Sequence, residues 1–171
     1  MQSLAAIVYP SGFPIDAFMA GLAAALKRRD LRLGGVVQHN DGACSDGCLT
    51  MSLEDLSSGR RIAISEDRGA GAAGCRLDPT GLAEAGGAFA AGLASVPDLV
   101  IVNKFGRQEI LGRGLRQEIA AALAADVPLL IAVREDALRA WCDFAGEHWF
   151  RLPAEEGAIL AWQAGLARAA A

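Results

Sequence analysis

Polar and cationic residues follow a short apolar run in the second half of this 171-residue chain. Residues 98–103 read Asp-Leu-Val-Ile-Val-Asn, and Asn103 is followed by Lys104, Arg107 and Gln108. Ammonium, guanidinium and amide groups all donate hydrogen bonds to oxyanions. The pattern therefore predicts an anion-binding surface at the end of a buried strand. The alternative is that these residues are the solvated start of a helix, and the same two interpretations apply to Arg113.

The first loop stands where a nucleotide-binding Walker A loop would stand, between an apolar run and a helix. That motif requires G-x-x-x-x-G-K-[ST], because amides cradle phosphate, the lysine reaches the β/γ oxygens and the hydroxyl holds Mg²⁺. Ser11 and Gly12 can present amides to an anion, but no lysine, serine or threonine occupies the required positions. Asn103 and Lys104 stand where a Walker B acidic pair would hold metal-bound water. We therefore expect no nucleotide hydrolysis, and a plain connecting loop is the alternative for residues 9–16.

Sulfur and imidazole side chains cluster in the first half of the chain and can act as ligands for soft or borderline metals. The spacing of the cysteines differs from a C-x-x-C ribbon, so two alternatives stay open: Cys75 as a reactive exposed thiol beside Arg76, or incidental packing of all these thiols. The candidate metal ligands are Cys48, Cys75, Cys44 and His39.

Apolar periodicity indicates alternating strands and helices. Residues 48–56 alternate and a Ser-Ser-Gly turn separates them from residues 61–65, which predicts a β-hairpin after a polar loop at 39–47. Asp78 and Pro79 are typical of a helix start. We predict a single α/β domain over residues 1–171, a three-layer α/β/α fold with a mainly parallel sheet and an inserted hairpin. Its central strands are residues 4–9, 34–38, 98–103 and 128–133, and its helices are residues 17–26, 78–93, 109–125, 135–144 and 155–170.

In open α/β sheets, ligands bind outside the carboxyl ends of the strands. That rule selects the loops after Tyr9, Gln38, Ser65 and Asn103. Together with the charges above, it gives the following candidate ligand-binding residues: Ser11, Gly12, Gln38, Arg76, Asn103, Lys104, Arg107 and Gln108.

The composition limits the function classes. The chain is 53% hydrophobic and 21% charged, and its formal net charge of −4 gives no reason to expect nucleic-acid binding. No apolar run approaches the roughly 20 residues that span a bilayer, and no basic region precedes the first apolar run. We expect a cytoplasmic protein with reduced thiols. Cys142, between Trp141 and Asp143, is expected to be a buried small hydrophobe.

Several stretches resemble a bacterial NTPase-like family with a degenerate P-loop, often encoded near molybdate-transport genes. The element order is also distantly similar to nucleoside-triphosphatases of the THEP type. The resemblance covers nearly the whole chain and implies the fold and a degenerate nucleotide site. The stretches that carry it are residues 34–38, 48–56 with Gly59, 64–65, 74–78 (Gly-Cys-Arg-Leu-Asp), 102–109 (Val-Asn-Lys-Phe-Gly-Arg-Gln-Glu) with Gly112 and Gly114, and 144–146.

The family's link to molybdate genes implies molybdate or tungstate as ligand, and backbone amides, Lys104 and Arg76 suit a tetrahedral dianion. We therefore expect a non-hydrolysing protein that binds an oxyanion or a soft metal in molybdenum or tungsten handling, with Cys48 and Cys75 close together. A nucleotide-binding enzyme and a regulatory interaction module are the alternatives. Expected partners are a small anion or metal, a second copy of the chain or a molybdenum-pathway protein, and neither nucleic acid nor membrane.

Overall fold

A computed structural model describes residues 3–43, 49–66 and 76–169. The strands are β1 Leu4–Tyr9, β2 Leu33–Ala43, β3 Leu49–Asp55, β4 Arg61–Ala63, β5 Ser65–Glu66, β6 Arg76–Leu77, β7 Leu99–Phe105, β8 Leu129–Arg134 and β9 Phe150–Leu152. The helices are α1 Ile15–Lys27, α2 Pro79–Ala94, α3 Arg107–Ile110, α4 Arg116–Ala124, α5 Leu138–Ala145 and α6 Glu156–Ala169. A 3₁₀ turn, Glu135–Ala137, precedes α5.

Seven strands form the main sheet in the order β4-β3-β2-β7-β8-β1-β9. The five strands from β2 to β9 in this order run parallel. Strands β3 and β4 extend the sheet as an antiparallel hairpin on β2, while β5 and β6 form a separate two-stranded ribbon. The predicted α/β class and the inserted hairpin are confirmed.

Helices cover both faces of the sheet, so β1 and its neighbours are buried on both sides. Within β1, Ala6 belongs to one apolar core and Ile7 to the other, as the twofold alternation of a strand requires. Helices α2, α4 and α5 contribute Phe89, Ile119 and Trp141 to the first core. Helices α1 and α6 contribute their apolar residues, among them Met19 and Trp162, to the second core. The three-layer α/β/α arrangement is therefore also confirmed.

Strand β2 is longer than predicted. Residues 39–43 were predicted as a loop because they are polar, but the backbone continues as strand and pairs with β3, with His39 opposite Ser52 and Asn40 opposite Met51. An edge hairpin satisfies these backbone groups without needing apolar side chains on both faces.

The predicted helix over residues 109–125 divides into α3 and α4. Gly112 and Gly114 both have positive φ, 77° and 62°, a conformation that ends a right-handed helix. The buried Glu109 carboxylate spans the break, accepting hydrogen bonds from the amides of Gly106 at 3.0 Å and Leu115 at 3.1 Å. A carboxylate inside the fold therefore fixes the backbone that follows β7.

The expectation for Cys142 is wrong, since its side chain is exposed. On α5 the preceding residue, Trp141, occupies the core, and one step along a helix turns the next side chain by about 100°. Apolar neighbours in sequence are therefore not neighbours in the core.

Within the described part of the chain, no helix is long and apolar enough to cross a membrane.

Candidate anion site at the carboxyl edge of the sheet

Strand β7 carries one extra residue where Asn103 and Lys104 occur. Val102 pairs with Ile131 of β8 but Phe105 pairs with Val133, so three steps along β7 match two along β8. Such a bulge re-aims side chains and is common beside functional sites. Phe105 then anchors the strand end, with its ring centroid 5.4 Å from that of Trp141. The bulge presents Asn103 and Lys104 at the carboxyl edge.

Asn103 joins three elements. The side chain is buried, and its Oδ1 accepts a hydrogen bond from the backbone amide of Gln38 at 2.9 Å. Its Nδ2 donates to Asp16 Oδ1 at 2.7 Å. Because the amide oxygen and nitrogen both have protein partners, Asn103 positions β2, β7 and α1 relative to one another. Its predicted role in direct ligand contact remains a prediction.

Asp16, in the first turn of α1, is the centre of the polar network at this edge. Lys104 Nζ donates to Asp16 Oδ1 at 2.9 Å, and Asn40 Nδ2 donates to Asp16 Oδ2 at 2.8 Å. Asn40 Oδ1 in turn accepts from Gln38 Nε2 at 2.7 Å. Together with the bond from Asn103, the carboxylate accepts three side-chain hydrogen bonds from two strands. Asp16 therefore holds Lys104 in a fixed position.

The Asp16 carboxyl has a pKa below its ordinary value. Burial acts to raise this pKa, but the hydrogen bond and positive charge of Lys104, together with the bonds from Asn103 and Asn40, outweigh burial. The side chain of Asp16 is 19% exposed and that of Lys104 is 35% exposed. The Asp16 carboxyl is therefore ionised at neutral pH, and the lysine keeps donors free to turn toward solvent or a ligand.

The Asp16–Lys104 pair has its acidic and basic residues in the opposite places from those in a nucleotide-hydrolysing site. In a working site, the lysine lies at the start of the helix after β1, and the acidic residue lies at the end of a neighbouring strand. Here α1 supplies the acid, Asp16, and β7 supplies the base, Lys104. An aspartate at the helix start repels a triphosphate, and a lysine at the strand end repels Mg²⁺. The exchange supports the expectation that this edge does not assemble Mg²⁺ and triphosphate for hydrolysis.

Two cavities flank Lys104 and share Lys104, Gly106 and Arg107. The first, the switch-point crevice, has a volume of about 530 Å³. Its lining residues are Tyr9, Ile15, Lys104, Phe105, Gly106, Arg107, Ile110, Leu111, Arg134, Asp136 and Ala137. The second, the hairpin cavity, has a volume of about 330 Å³. Its lining residues are Gln38, Met51, Leu53, Ile64, Leu77, Leu82, Val102, Asn103, Lys104, Gly106, Arg107, Gln108, Glu109 and Leu115.

The switch-point crevice lies where the chain connections change face. The helix after β1, α1, belongs to one core, whereas α5, which follows the adjacent strand β8, belongs to the other. Connections that leave adjacent strands on opposite faces open a crevice at their carboxyl ends, and ligands of open α/β proteins bind there. Tyr9 ends β1 and Arg134 ends β8, so both strands contribute to its lining.

The crevice is rich in hydrogen-bond donors. Arg107 is exposed and has no ion-pair partner among the described residues. Arg134 forms a bidentate ion pair with Asp136, in which Nε donates to Oδ1 at 2.7 Å and Nη2 donates to Oδ2 at 2.6 Å. Burial, followed by the negative charge of Asp16, raises the pKa of the Tyr9 phenol, so this hydroxyl remains a donor at neutral pH. Lys104 and Arg134 are paired with Asp16 and Asp136, and the unpaired charge of Arg107 leaves a net positive charge that favours an anionic ligand.

The structure brings five predicted ligand-binding residues together around the hairpin cavity: Gln38, Asn103, Lys104, Arg107 and Gln108. Ser11 and Gly12 line neither cavity. They form a tight turn in which the Phe13 amide donates to the Pro10 carbonyl at 3.3 Å and Gly12 has φ 84°. The side chain of Arg76 lies outside the described part of the structure.

Of the predicted metal ligands, only His39 lies among the described residues. Its Nε2 lies 2.8 Å from Glu54 Oε2, and its Nδ1 accepts from the Arg61 guanidinium at 3.1 Å. Both ring nitrogens therefore have protein partners, and a metal would have to displace one of them. Cys44, Cys48 and Cys75 lie outside the described residues, and within the described ranges no group of three or more His, Cys, Asp and Glu side chains is arranged to hold a metal ion.

Sequence reasoning did not select Asp16, Tyr9, Arg134 or Glu109. For Asp16 the sequence held a usable signal, since an acidic residue in the first turn of the helix after β1 lies at the same edge of the sheet as Lys104. For Arg134 the signal was its place at the end of β8, another parallel strand. The burial of Glu109 had no sequence signal, because a glutamate at a helix start is ordinarily solvated.

Comparisons with known proteins agree with this architecture. A solved structure described as a human cancer-related nucleoside triphosphatase superposes with a TM-score of 0.59 at 12% sequence identity, covering 98% of this chain and 96% of the other. The two proteins therefore share an α/β fold, and this chain lacks the Walker residues that nucleotide hydrolysis requires. The chain belongs to the family described as Protein of unknown function (DUF2478), whose model matches residues 4–162.

A curated relative is 43% identical over 162 residues, which are 93% of this chain. It is the molybdenum import ATP-binding protein ModC 2 of Bradyrhizobium diazoefficiens (strain JCM 10833 / BCRC 13528 / IAM 13628 / NBRC 14792 / USDA 110). The match spans only 18% of that protein's length, so this chain corresponds to one segment of a much larger polypeptide.

Proposed function

We propose that this domain binds a tetrahedral oxyanion, molybdate or tungstate, in the switch-point crevice without hydrolysing nucleotide. The observation that carries the proposal is the group of three cations, Lys104, Arg107 and Arg134, at the topological switch point of the sheet. A dianion placed there receives charge-assisted hydrogen bonds from two strand ends and from the segment after β7. The Tyr9 hydroxyl adds a neutral donor.

Molybdenum enters the proposal through the relative. Its name assigns molybdenum import to a polypeptide of which a segment is 43% identical to this chain. Lysine, arginine and tyrosine donors do not by themselves distinguish molybdate from sulfate or phosphate, so selectivity has to come from the size of the crevice or from additional ligands. A preference for molybdate therefore has to be tested by comparing the affinities of these oxyanions directly.

Cysteine ligation is the finer part of the proposal. The segments that carry Cys44, Cys48 and Cys75 are flanked by described backbone pairs, Ala43 with Leu49 and Glu66 with Arg76. The Met51 amide donates to Ser65 Oγ at 2.9 Å, so these flanking strands lie side by side. Met51 and Leu77 of these strands line the hairpin cavity, which meets the switch-point crevice at Lys104. Thiolates that reached Lys104 from that side would supply the soft ligands that molybdenum and tungsten accept and that sulfate does not need.

The test is equilibrium dialysis of the reduced protein against molybdate, tungstate, sulfate and phosphate, with bound metal counted by mass spectrometry. Arg107→Ala is the cleanest variant, because Arg107 is exposed and its loss leaves no described carboxylate unpaired. We expect it to weaken molybdate binding by about tenfold, the value of one charge-assisted hydrogen bond. Arg28→Ala is the matched control, since Arg28 is exposed at the opposite end of α1.

Two further variants locate the anion. Arg134→Ala removes a cation that lines the switch-point crevice but not the hairpin cavity, and Gln108→Ala removes a side chain that lines the hairpin cavity but not the switch-point crevice. A loss of affinity in the first and none in the second is the expected pattern. No oxyanion bound at about 1 mM, or equal affinity in Arg107→Ala and wild type, would refute the proposal.

The cysteine part is tested by the double substitution Cys48→Ser and Cys75→Ser. Loss of selectivity for molybdate over sulfate is the expected result. Unchanged selectivity would leave the crevice as a plain anion site. A nucleotide retained in place of an oxyanion would favour the nucleotide-binding alternative.

A further inference from the structure

Helix α3, the single turn that follows β7, has a charged residue on its inner side and apolar residues on its outer side. The Glu109 side chain is buried, whereas Ile110 is 45% exposed and Leu111 is 57% exposed. These two are the only adjacent pair among the exposed large hydrophobic residues in the described part of the chain. Folding ordinarily buries aliphatic side chains and leaves glutamate in water, so this reversal indicates a role beyond folding.

The backbone of α3 is held in place from both ends. The Glu109 carboxylate accepts one hydrogen bond from an amide before the turn and one from an amide after it. The Glu109 carbonyl accepts from Arg116 Nη1 at 2.9 Å and from the Gly112 amide at 3.1 Å. A surface that is already ordered loses little conformational entropy when a partner binds. The turn therefore presents its two exposed aliphatic side chains in a pre-organised arrangement.

Two arginines flank this apolar pair. Arg107 precedes Ile110 and Leu111 by three and four positions, and the Leu111 amide donates to the Arg107 carbonyl at 3.1 Å, so these three residues share one side of the turn. Arg113 follows Leu111 closely in sequence. Both arginines are exposed, and neither has an ion-pair partner in the ranges that the structure describes. We call Arg107, Ile110, Leu111 and Arg113 the α3 tip.

The chemistry of the α3 tip defines its complement. Unpaired guanidinium groups favour carboxylates, with which they form bidentate hydrogen bonds. Exposed aliphatic side chains favour an apolar side chain that shields them from water. A small anion satisfies the arginines but leaves the aliphatic surface exposed. The α3 tip therefore fits a partner that carries both kinds of group.

We propose that the α3 tip docks a protein partner that presents an apolar side chain flanked by carboxylates. Arg107, Ile110 and Leu111 also line the switch-point crevice, so a partner seated on them covers one side of that crevice. Docking therefore limits the access of solvent to the crevice. Docking itself requires no bound oxyanion, so it can be tested apart from the proposed function of the crevice.

A lipid surface fits the α3 tip less well than a protein does. Peripheral membrane binding needs a broad apolar face or a cluster of roughly four to eight basic residues. The tip offers one pair of aliphatic side chains and one pair of arginines, and the formal net charge of the chain, −4, repels anionic lipids. Protein interfaces are enriched in arginine. The observations therefore favour a protein partner.

The experiment is selection of peptides from a randomised phage-displayed library on the wild-type protein in oxyanion-free buffer, with counter-selection on the double variant Ile110→Ser and Leu111→Ser. We expect the recovered peptides to carry a large apolar residue flanked by aspartate or glutamate. Fluorescence anisotropy then measures the affinity of a synthetic peptide of the selected sequence. Leu111→Ser and Arg113→Ala should each weaken binding by about tenfold, the loss expected from one interface anchor.

Val96→Ser is the matched control, because Val96 is also an exposed aliphatic residue, 65% exposed, and lies before the opposite end of β7. It should leave peptide affinity unchanged. The free energy of unfolding should be the same in Leu111→Ser and wild type, because the Leu111 side chain is exposed. A merely structural role of Leu111 would lower that free energy.

Several results would overturn the proposal. They are recovery of no peptide that distinguishes wild type from the double variant, recovery of basic peptides, and equal peptide affinity in Leu111→Ser and wild type. Sedimentation with vesicles of phosphatidylcholine and phosphatidylserine that is lost in Leu111→Ser would assign the α3 tip to a membrane instead. A dimer in analytical ultracentrifugation that Leu111→Ser dissociates would assign it to a second copy of the chain.

Discussion

The substitution Asp16→Asn should lower stability and raise oxyanion affinity at the same time. Asparagine keeps an oxygen for Lys104 and Asn103, but its amide nitrogen then faces Nδ2 of Asn40, donor against donor. The charge-assisted character of the other bonds is also lost. Charged hydrogen bonds contribute about 1.5–3 kcal/mol and neutral ones about 1 kcal/mol, so a loss of about 2 kcal/mol is expected.

The gain in affinity follows from Coulomb's law. A carboxylate roughly 6 Å from a bound ligand, at an effective dielectric constant of about 60, repels it by about 0.9 kcal/mol for each ligand charge. Salt at physiological strength, with a Debye length of about 8 Å, reduces that repulsion by about half. Removing the carboxylate should therefore tighten binding of a dianion such as molybdate by about fivefold.

The stability effect should depend on pH in a defined direction. The pKa of Asp16 in the folded protein is below its ordinary value, so ionised Asp16 contributes fully above the unfolded-state value near about 3.9. That contribution is lost as the pH falls through the lower, folded-state pKa. The difference in free energy of unfolding between wild type and Asp16→Asn should be constant from pH 8 to about 5 and shrink below about 4.

Urea titrations at several pH values measure the stability difference, and dialysis against molybdate at pH 7.5 measures affinity. Asp98→Asn is the matched control, because Asp98 pairs with Arg32 at the amino edge of the sheet and should not change anion affinity. An Asp16→Asn protein that loses affinity would refute the reasoning. It would show that Asp16 serves the ligand by orienting Lys104 more than it repels the ligand by its charge.

The remaining predictions concern the backbone after β7 and nucleotide turnover. Gly114→Ala should destabilise the fold by about 3 kcal/mol, because its Cβ would lie 2.3 Å from Glu109 Oε1, whereas Gly112→Ala, in open space, should cost about 1 kcal/mol from its positive φ alone. Equal unfolding midpoints in urea for the two variants would contradict this role of Glu109. The protein should turn over ATP or GTP with Mg²⁺ far more slowly than about one per second, and steady turnover at that rate, abolished by Asn103→Ala, would overturn the expectation.

Sequence patterns predicted the frame of the fold well because the parallel strands are buried on both faces. The predicted bounds of β1 match the structure, and Asp78 caps α2 as its sequence position indicates, accepting a bond from the Thr80 amide at 2.9 Å. Continuous apolar runs and cap residues are local signals. They do not depend on distant contacts.

The parts that could not be predicted depend on long-range contacts. The bulge in β7 is defined by its register against β8, and nothing in the run Val102 to Phe105 indicates an extra residue. The role of Asp16 depends on partners 87 and 88 positions away. The carboxyl-edge rule nevertheless selected Gln38, Asn103, Lys104, Arg107 and Gln108 as neighbours, because strand direction alone determines which loops share an edge.

The Asp16–Lys104 ion pair also determines which substitutions this edge of the sheet can accept one at a time. A lysine at position 16 alone would place two cations side by side, and an acid at position 104 alone would place two carboxylates side by side. Either single step leaves a partly buried charge facing its like, which is less stable than both paired arrangements. Positions 16 and 104 are therefore coupled, and a reversal of charge at one of them is tolerated only together with a reversal at the other.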